Sequence, residues 1–267
     1  PEGYVCMNID SSQIEARLLV WLAGQQDVTK WYREGRDVYC EFASKVYNKK
    51  ITKKEKTERA VGKTCILGLG YGTGAMKLQN VLKLGAGVDF SEDECKRLVR
   101  VYREVNNKVI ELWQECDSAL ADIASWPEGK APYYIGQGEC VMITPMGIKL
   151  PNGLYIYYPE LKWDTSDTRS QFTYKRRHGR VGIWGGGMVE NIVQALARIV
   201  IGEQMVNISD KYRPALTVHD AVVCVAADKD KDDALNYIMT EMSKPPAWAK
   251  DCPITCEGGY GNSYGDC

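Results

Sequence analysis

An apolar, β-favouring run over residues 4–9 predicts a short strand that Asp10 ends. Ile14, Leu18 and Leu22 then recur at helical spacing and predict a helix over residues 13–22, with Ser12 and Glu15 spaced as a capping box and Gly24 as the stop. A second helical pattern covers residues 37–47. Thr52 and Glu55 mark the start of a third helix of about 20 residues that ends near Gly72. Ser91 and Glu94 repeat the signature before one long helix through Leu98, Tyr102, Val109 and Leu112 to Ile123. The texture changes at Trp126. Pro127, Gly129, Pro132, Gly136 and Gly138 read as loop, and short strands follow over residues 139–143, 148–150 and 154–157. Residues 171–174 and 180–184 predict a hairpin around a basic cluster. After Gly185-Gly186-Gly187 a helix is expected over residues 189–206, then two strands, 215–218 and 222–225, joined at His219-Asp220, then a helix over 232–242. The tail from Pro245 is rich in Pro, Gly and Cys and carries no predicted element.

Composition narrows the class. A net charge of −1 gives no overall pull toward nucleic acid, so any such site must be built from local charge. Two clusters offer it: Lys49, Lys50, Lys53, Lys54 and Lys56, and then Lys175, Arg176, Arg177, His178 and Arg180. A solvated surface is the plainer reading of both. No run of about 18 apolar residues exists, so no membrane span is expected. No signal peptide is visible, so the ten cysteines are expected as reduced thiols in a cytoplasmic setting. Cys252 and Cys256 are four apart, but two histidines make a poor zinc set. The chain opens at Pro1 rather than at a methionine and reads as a piece of a longer polypeptide.

Chemistry concentrates at three places. Asp10 ends an apolar strand and Asp220 occupies the turn between two others; carboxylates fixed at strand ends suit a pair of hard cations. Arg59, Lys63, Leu67 and Tyr71 are spaced by four, so they share one broad helical face. Two cations, an apolar residue and an aromatic in a row suit a triphosphate followed by a base, though a surface stripe ending in a buried aromatic has the same pattern. Gly62-Lys63-Thr64 imitates the end of a P-loop, but Thr57 stands where the first glycine is required.

These segments together resemble family A DNA polymerases. Asp10-Ser11-Ser12-Gln13-Ile14-Glu15-Ala16-Arg17 resembles the family's first motif, Arg59 to Gly72 its second, and Val218-His219-Asp220-Ala221 its third, in the family's order. Glu190-Asn191-Ile192-Val193-Gln194 and Pro246-Ala247-Trp248 resemble the phage-type branch. The resemblance implies an α+β chain with a palm, a small antiparallel sheet with helices, and a helical fingers subdomain. The palm would hold residues 1–24 and 126–267, with hairpins over 139–184, and the fingers residues 25–125. The thumb and exonuclease-like domain, upstream in the family, would be absent.

The implied activity is template-directed DNA synthesis, a nucleotidyl transfer to a primer 3′-hydroxyl with two Mg²⁺ ions on Asp10 and Asp220. The implied partners are primer-template DNA and deoxynucleoside triphosphates; a processivity factor is left open, and the setting would be the host cytoplasm if phage-encoded. Arg59 and Lys63 would hold phosphates, with Lys63 also catalytic, and Tyr71 would sit at the templating base. Glu15 would close over the sugar 2′ position. Gln13 would face the nucleotide, and Tyr39 stands where many relatives have a phosphate-binding histidine. Glu190, Asn191, Gln194, Arg198 and His219 would face DNA. Leu67 replaces the usual Phe or Tyr beside the sugar, Ser11 replaces Tyr, and Ala221 replaces Glu. A binding module without catalysis and a single-subunit RNA polymerase are the alternatives; Glu15 speaks against the second.

Overall fold

The computed structural model describes residues 2–166 and 170–267; residues 167–169 of the expected hairpin region lie outside the described residues. In chain order the elements are β1 (Tyr4–Ser11), α1 (Ile14–Leu22), α2 (Gln26–Arg33), α3 (Val38–Tyr47), α4 (Lys56–Leu69), α5 (Ala75–Gly85), α6 (Glu92–Val105) and α7 (Asn107–Ala124). Then come β2 (Tyr133–Ile135), β3 (Val141–Thr144), β4 (Gly147–Lys149), β5 (Tyr155–Ile156), β6 (Lys162–Asp164), β7 (Gln171–Arg176) and β8 (Gly179–Ile183). The last are α8 (Gly185–Ser209), β9 (Pro214–Val218), β10 (Ala221–Ala227), α9 (Lys231–Met242) and β11 (Cys256–Gly261). No described helix is long and apolar enough to cross a membrane. All ten cysteines are free thiols.

The chain divides into two compact units. One is the chain up to Leu18 together with Gln194–Cys267. Its centre is a four-stranded antiparallel sheet in the order β11-β1-β10-β9. Alternate residues of β1, Val5, Met7 and Ile9, are buried among Ile201 and Ile208 of α8 and Ala234, Ile238 and Met242 of α9. Burying each large apolar side chain contributes about 1.5–3 kcal/mol, and the alternation fixes which face of β1 turns inward.

The other unit, Leu19–Val193, holds α2–α7, a four-stranded sheet β2-β3-β4-β5 and a three-stranded sheet β6-β7-β8. Local chemistry sets its helix ends. Asp37 caps α3 by accepting from the N–H groups of Tyr39 and Cys40, each at 3.1 Å. Ser91 and Glu94 form the expected capping box of α6. Helices α3 and α4 pack closely at Gly62, where an added Cβ would lie 2.2 Å from the Tyr39 carbonyl oxygen.

The structure corrects several expectations. Helix α4 begins at Lys56 and stops at Leu69, not near Gly72; Gly72 has φ +83°, a left-handed conformation that ends a helix. Thr52 and Glu55 bond each other in the turn before it, Glu55 Oε2 accepting from Thr52 N–H at 2.7 Å. The Ser12 N–H before α1 donates to the Thr255 carbonyl at 3.0 Å. The long helix is two helices broken at buried Asn106. The triple glycine opens α8 instead of preceding it, because a Cβ at Gly185 would meet the Trp113 carbonyl oxygen at 1.9 Å. Helices α2 and α5 and strands β2, β6 and β11 have no counterpart in the sequence reading.

Gly62 and Gly68 sit on one helix with opposite surroundings, since a Cβ at Gly68 meets nothing within 4 Å. Gly62→Ala is expected to destabilise the protein by about 2–3 kcal/mol through a clash with backbone that cannot yield. Gly68→Ala is expected to stabilise it by about 0.5 kcal/mol through helix propensity. Urea midpoints for the two variants check both signs.

Candidate functional site

Strand β1 carries Asp10 into the middle of the first unit's sheet, opposite Ala221 on β10 and Glu257 on β11. Directly paired residues of antiparallel strands project to one face, so Asp10, Ala221 and Glu257 share a face. Asp220 lies one step before Ala221, in the two-residue turn joining β9 to β10. His219, at the exposed tip of that turn, has φ +55°. The Asp220 carbonyl accepts from the Ser11 N–H at 3.2 Å, which ties the turn to the end of β1. The Asp10 and Asp220 carboxyl groups reach each other and share a hydrogen bond. Burial, then the charge and hydrogen bond of Asp220, then the charge of Glu257 push the Asp10 carboxyl up to about 6. A carboxyl held there gives up its proton near pH 6 instead of near pH 4, and a positive charge beside it would favour the ionised form.

The donor chemistry fits a hard divalent cation. Asp10, Asp220 and Glu257 offer carboxylate oxygens, and Asn8 Oδ1, two residues back on the same face of β1, is buried without a hydrogen-bond partner, as is Gln13 Oε1. Among the described residues no group of three or more Asp, Glu, His or Cys forms a complete cage. Mg²⁺ seldom needs one, being held by one or two carboxylates plus water and substrate phosphates. Gln13 itself has φ +56° at the start of α1, and Glu15 is half-buried on that helix. Arg17 donates to the Ser12 and Pro253 carbonyls at 2.7 and 2.6 Å, which anchors the turn after Asp10. Gln194 and Arg198 are exposed one turn apart on α8.

In the second unit, Lys63 and Leu67 project from α4 into solvent, with Leu67 47% exposed. That exposure leaves Leu67 outside the apolar core. Arg59 is positioned from two sides: its Nε donates to Asp37 at 2.8 Å, and its guanidinium lies 5.3 Å from the centre of the buried Tyr39 ring. Burial works to raise the Asp37 carboxyl, but the hydrogen bonds from Arg59 and the Cys40 N–H, with Arg59's charge, hold it below the ordinary range. Tyr71 lies in the turn beyond α4, not on its face. It still meets Leu67 at one cavity of about 460 Å³, whose walls include Gly72, Lys77, Trp184 and Glu190. Asn191 is instead engaged, donating to the Tyr158 hydroxyl at 3.0 Å.

Known proteins place this arrangement. The model of DNA polymerase family A matches residues 1–122. The DNA polymerase of Bacillus phage SP02 is 31% identical over 265 residues, covering 93% of this chain and 39% of that protein. The chain is thus similar to DNA polymerases of family A. The DNA polymerase of Bacillus phage SP01 is 24% identical over 274 residues, covering 99% of the chain and 26% of that protein. Among solved structures, the POL domain of Pol1 from M. smegmatis, in complex with DNA primer-template and dNTP, superimposes with a TM-score of 0.70 at 20% identity. That match covers 98% of this chain and 40% of the other and shows a common fold. The chain thus spans about two fifths or less of the length of these relatives.

Two residues at these sites were not anticipated. Glu257 sits in a tail whose glycines hide a strand; Gly258 lets β11 approach β1, since a Cβ there would lie 2.3 Å from the Asn8 carbonyl oxygen. Trp184 was read only as the end of a hairpin, and its one signal is an aromatic directly before a glycine run.

The raised Asp10 carboxyl has a measurable sign. Below the unfolded value near 3.8 its contribution to stability is intact, and it is lost as pH rises through about 6, because the folded state must release a proton it holds more tightly than the unfolded chain. In EDTA-treated protein, Asp10→Asn is therefore expected to raise Tm relative to the parent, by a margin that grows from pH 4 to pH 7. Saturating Mg²⁺ or Mn²⁺ should raise the parent's Tm at neutral pH and leave that of Asp10→Asn almost unmoved. Calorimetry with and without the cation checks both statements; equal Tm gains would remove Asp10 from the cation site.

Proposed function

We propose that the chain carries out template-directed DNA synthesis, adding deoxynucleotides from their triphosphates to a primer 3′-hydroxyl on primer-template DNA. The observation that supports it most is the meeting of Asp10 and Asp220, far apart in sequence, in one hydrogen-bonded carboxyl pair at adjoining strand ends. The sheet unit is the palm and α2–α7 are the fingers. Asp10 and Asp220 would hold two Mg²⁺ ions, which when bound lower the pKa of an attacking hydroxyl and offset charge on a triphosphate. Lys63, exposed on α4, and Arg59, held by Asp37 and Tyr39, receive the phosphates. Tyr71 offers an aromatic face to the templating base, and Leu67 borders the sugar. Glu15 closes the 2′ side, and Gln13 stands beside it. Gln194, Arg198 and His219 face the primer strand, and Glu190 and Asn191 the template side. Ala221 leaves the local field less negative than the family's usual Glu, and Glu257 across β1 restores part of it.

Primer extension tests the reading. In the full-length enzyme, the parent should incorporate deoxynucleotides and discriminate against ribonucleotides, and Asp220→Asn should abolish incorporation. Ribonucleotide incorporation at equal rate would favour an RNA polymerase, and binding without incorporation a module without catalysis. Lys63→Ala should lower kcat by about 100-fold or more, the cost of losing one preorganised contact to developing charge; a change confined to KM would mean uniform binding. Leu67→Tyr should relax discrimination against dideoxynucleotides by at least about 10-fold, since a tyrosyl hydroxyl can replace the sugar's lost polar contact and leucine cannot. An unchanged competition ratio in a folded, active variant rules out sugar contact at Leu67.

A further inference from the structure

Of the ten free thiols seven are buried, and three, Cys6, Cys256 and Cys267, are half-buried. Cys256 turns its thiol inward, to the Ser243 hydroxyl and the Met239 carbonyl, each at 3.3 Å. Cys6 lies on the other face of the sheet, in line with Asn8 and Asp10, because side chains alternate along β1. Its register partner on β11 is Gly261. Beyond Gly261 the chain folds back in a turn closed by Asp266, whose Oδ2 accepts from the Ser263 N–H at 3.1 Å and from its hydroxyl at 2.7 Å. Gly261 makes room for that turn, since a Cβ there would lie 2.6 Å from the Asp266 Cβ.

The turn delivers Cys267 to Cys6. The Cys267 Sγ donates to the Cys6 carbonyl at 3.1 Å. The two thiols also reach each other. Burial first, then a hydrogen bond with the Cys6 thiol and its charge, push the Cys267 thiol above its ordinary value. Cys224 also feels the charge of Cys6, but it stands opposite Met7 and points into the core, on the far side of the sheet. Among the described residues Cys267 is therefore the one thiol that meets Cys6 on the open face.

We propose that Cys6 and Cys267 form a reversible disulfide when the protein meets an oxidising small-molecule disulfide such as oxidised glutathione. One thiolate of the pair attacks a sulfur of the small disulfide, which makes a mixed disulfide and releases one small thiolate. The other cysteine attacks the protein sulfur of that mixed disulfide, forms the Cys6–Cys267 bond and releases the second small thiolate. The two protein thiols are oxidised, the small disulfide is reduced, and the two protons pass to the released thiolates. The raised Cys267 thiol makes the exchange slow at neutral pH and faster as pH rises. In a reducing compartment the pair rests as open thiols.

The bond ties β1 to the segment that follows β11. That strand is at the edge of its sheet, and three of its six residues are glycines with no side chain to hold it. Four residues along β1 from Cys6, Asp10 faces Glu257 on the same strand. The disulfide thus clamps the strand that brings Glu257 to Asp10, whatever reaction the site performs.

The test uses the full-length protein, first reduced and then equilibrated in glutathione buffers of rising oxidised fraction at about pH 8, where thiolates form. Parent, Cys6→Ser, Cys267→Ser and Cys256→Ser are compared, each with its Tm checked in reducing buffer. Thiol counts in denaturant and mass spectrometry of non-reduced peptides read the product. Parent and Cys256→Ser should lose one pair of thiols, yield a peptide cross-linked between Cys6 and Cys267 within one chain, and rise in Tm. Amide exchange over residues 256–261 should slow in both and recover with dithiothreitol. Cys6→Ser and Cys267→Ser should show none of these changes. Thiols that all survive in the folded parent, a glutathione adduct that never resolves, or a bond from Cys6 to any other cysteine would overturn the pair. A Cys6–Cys267 bond that leaves exchange over residues 256–261 unchanged would overturn the clamp.

Discussion

The antiparallel register between β1 and β10 is the constraint on which the site depends. It sets Asp10 opposite Ala221 and so brings the preceding residue, Asp220, to the end of β1. Side chains alternate between faces, so a slip of one residue would turn Asp10 toward the core and Ile9 away from it. The buried set of Val5, Met7 and Ile9 on one side, and the bond from Ser11 to the Asp220 carbonyl on the other, make that slip costly. The stability of the apolar face thereby fixes the carboxyl pair on the polar one. The raised Asp10 carboxyl costs some stability at neutral pH, which the apolar face offsets.

The second unit presents a row of groups along one helix, Arg59, Lys63 and Leu67 of α4. A glycine at 62 brings α4 close to α3, and Asp37, already the cap of α3, also holds Arg59. One side chain therefore ends a helix and orients a cation. Beyond the end of α4, Gly72 turns the chain with a left-handed backbone and leaves room for Trp184. The conformational freedom of glycine and its lack of bulk are used at the same position.

Much of this could be read from sequence where the signal is local. The strand before Asp10, the turn at His219-Asp220, the cap at Ser91 and the spacing of Arg59, Lys63 and Leu67 all follow from neighbours within a few residues. What escaped reading is what tertiary pairing creates. Cys256-Glu257-Gly258-Gly259-Tyr260-Gly261 has neither alternation nor β-branched residues, and it is a strand because β1 offers it an edge. Helix α5 buries only Leu78 and Leu82, a single pair that does not stand out among lysines and glycines. The end of α4 was misplaced because Gly68 and Gly70 sit within helical geometry, whereas Gly72 does not. No composition rule distinguishes them.

The central position of β1 has a consequence for synthesis on the ribosome. Both of its neighbours, β10 and β11, come from far along the chain: about 210 residues separate Asp10 from Ala221, roughly 10–40 s of translation. The helices of the second unit, built from local contacts, can form within that interval. The nascent chain thus carries β1 without β10 and β11 until the last strands of the sheet emerge.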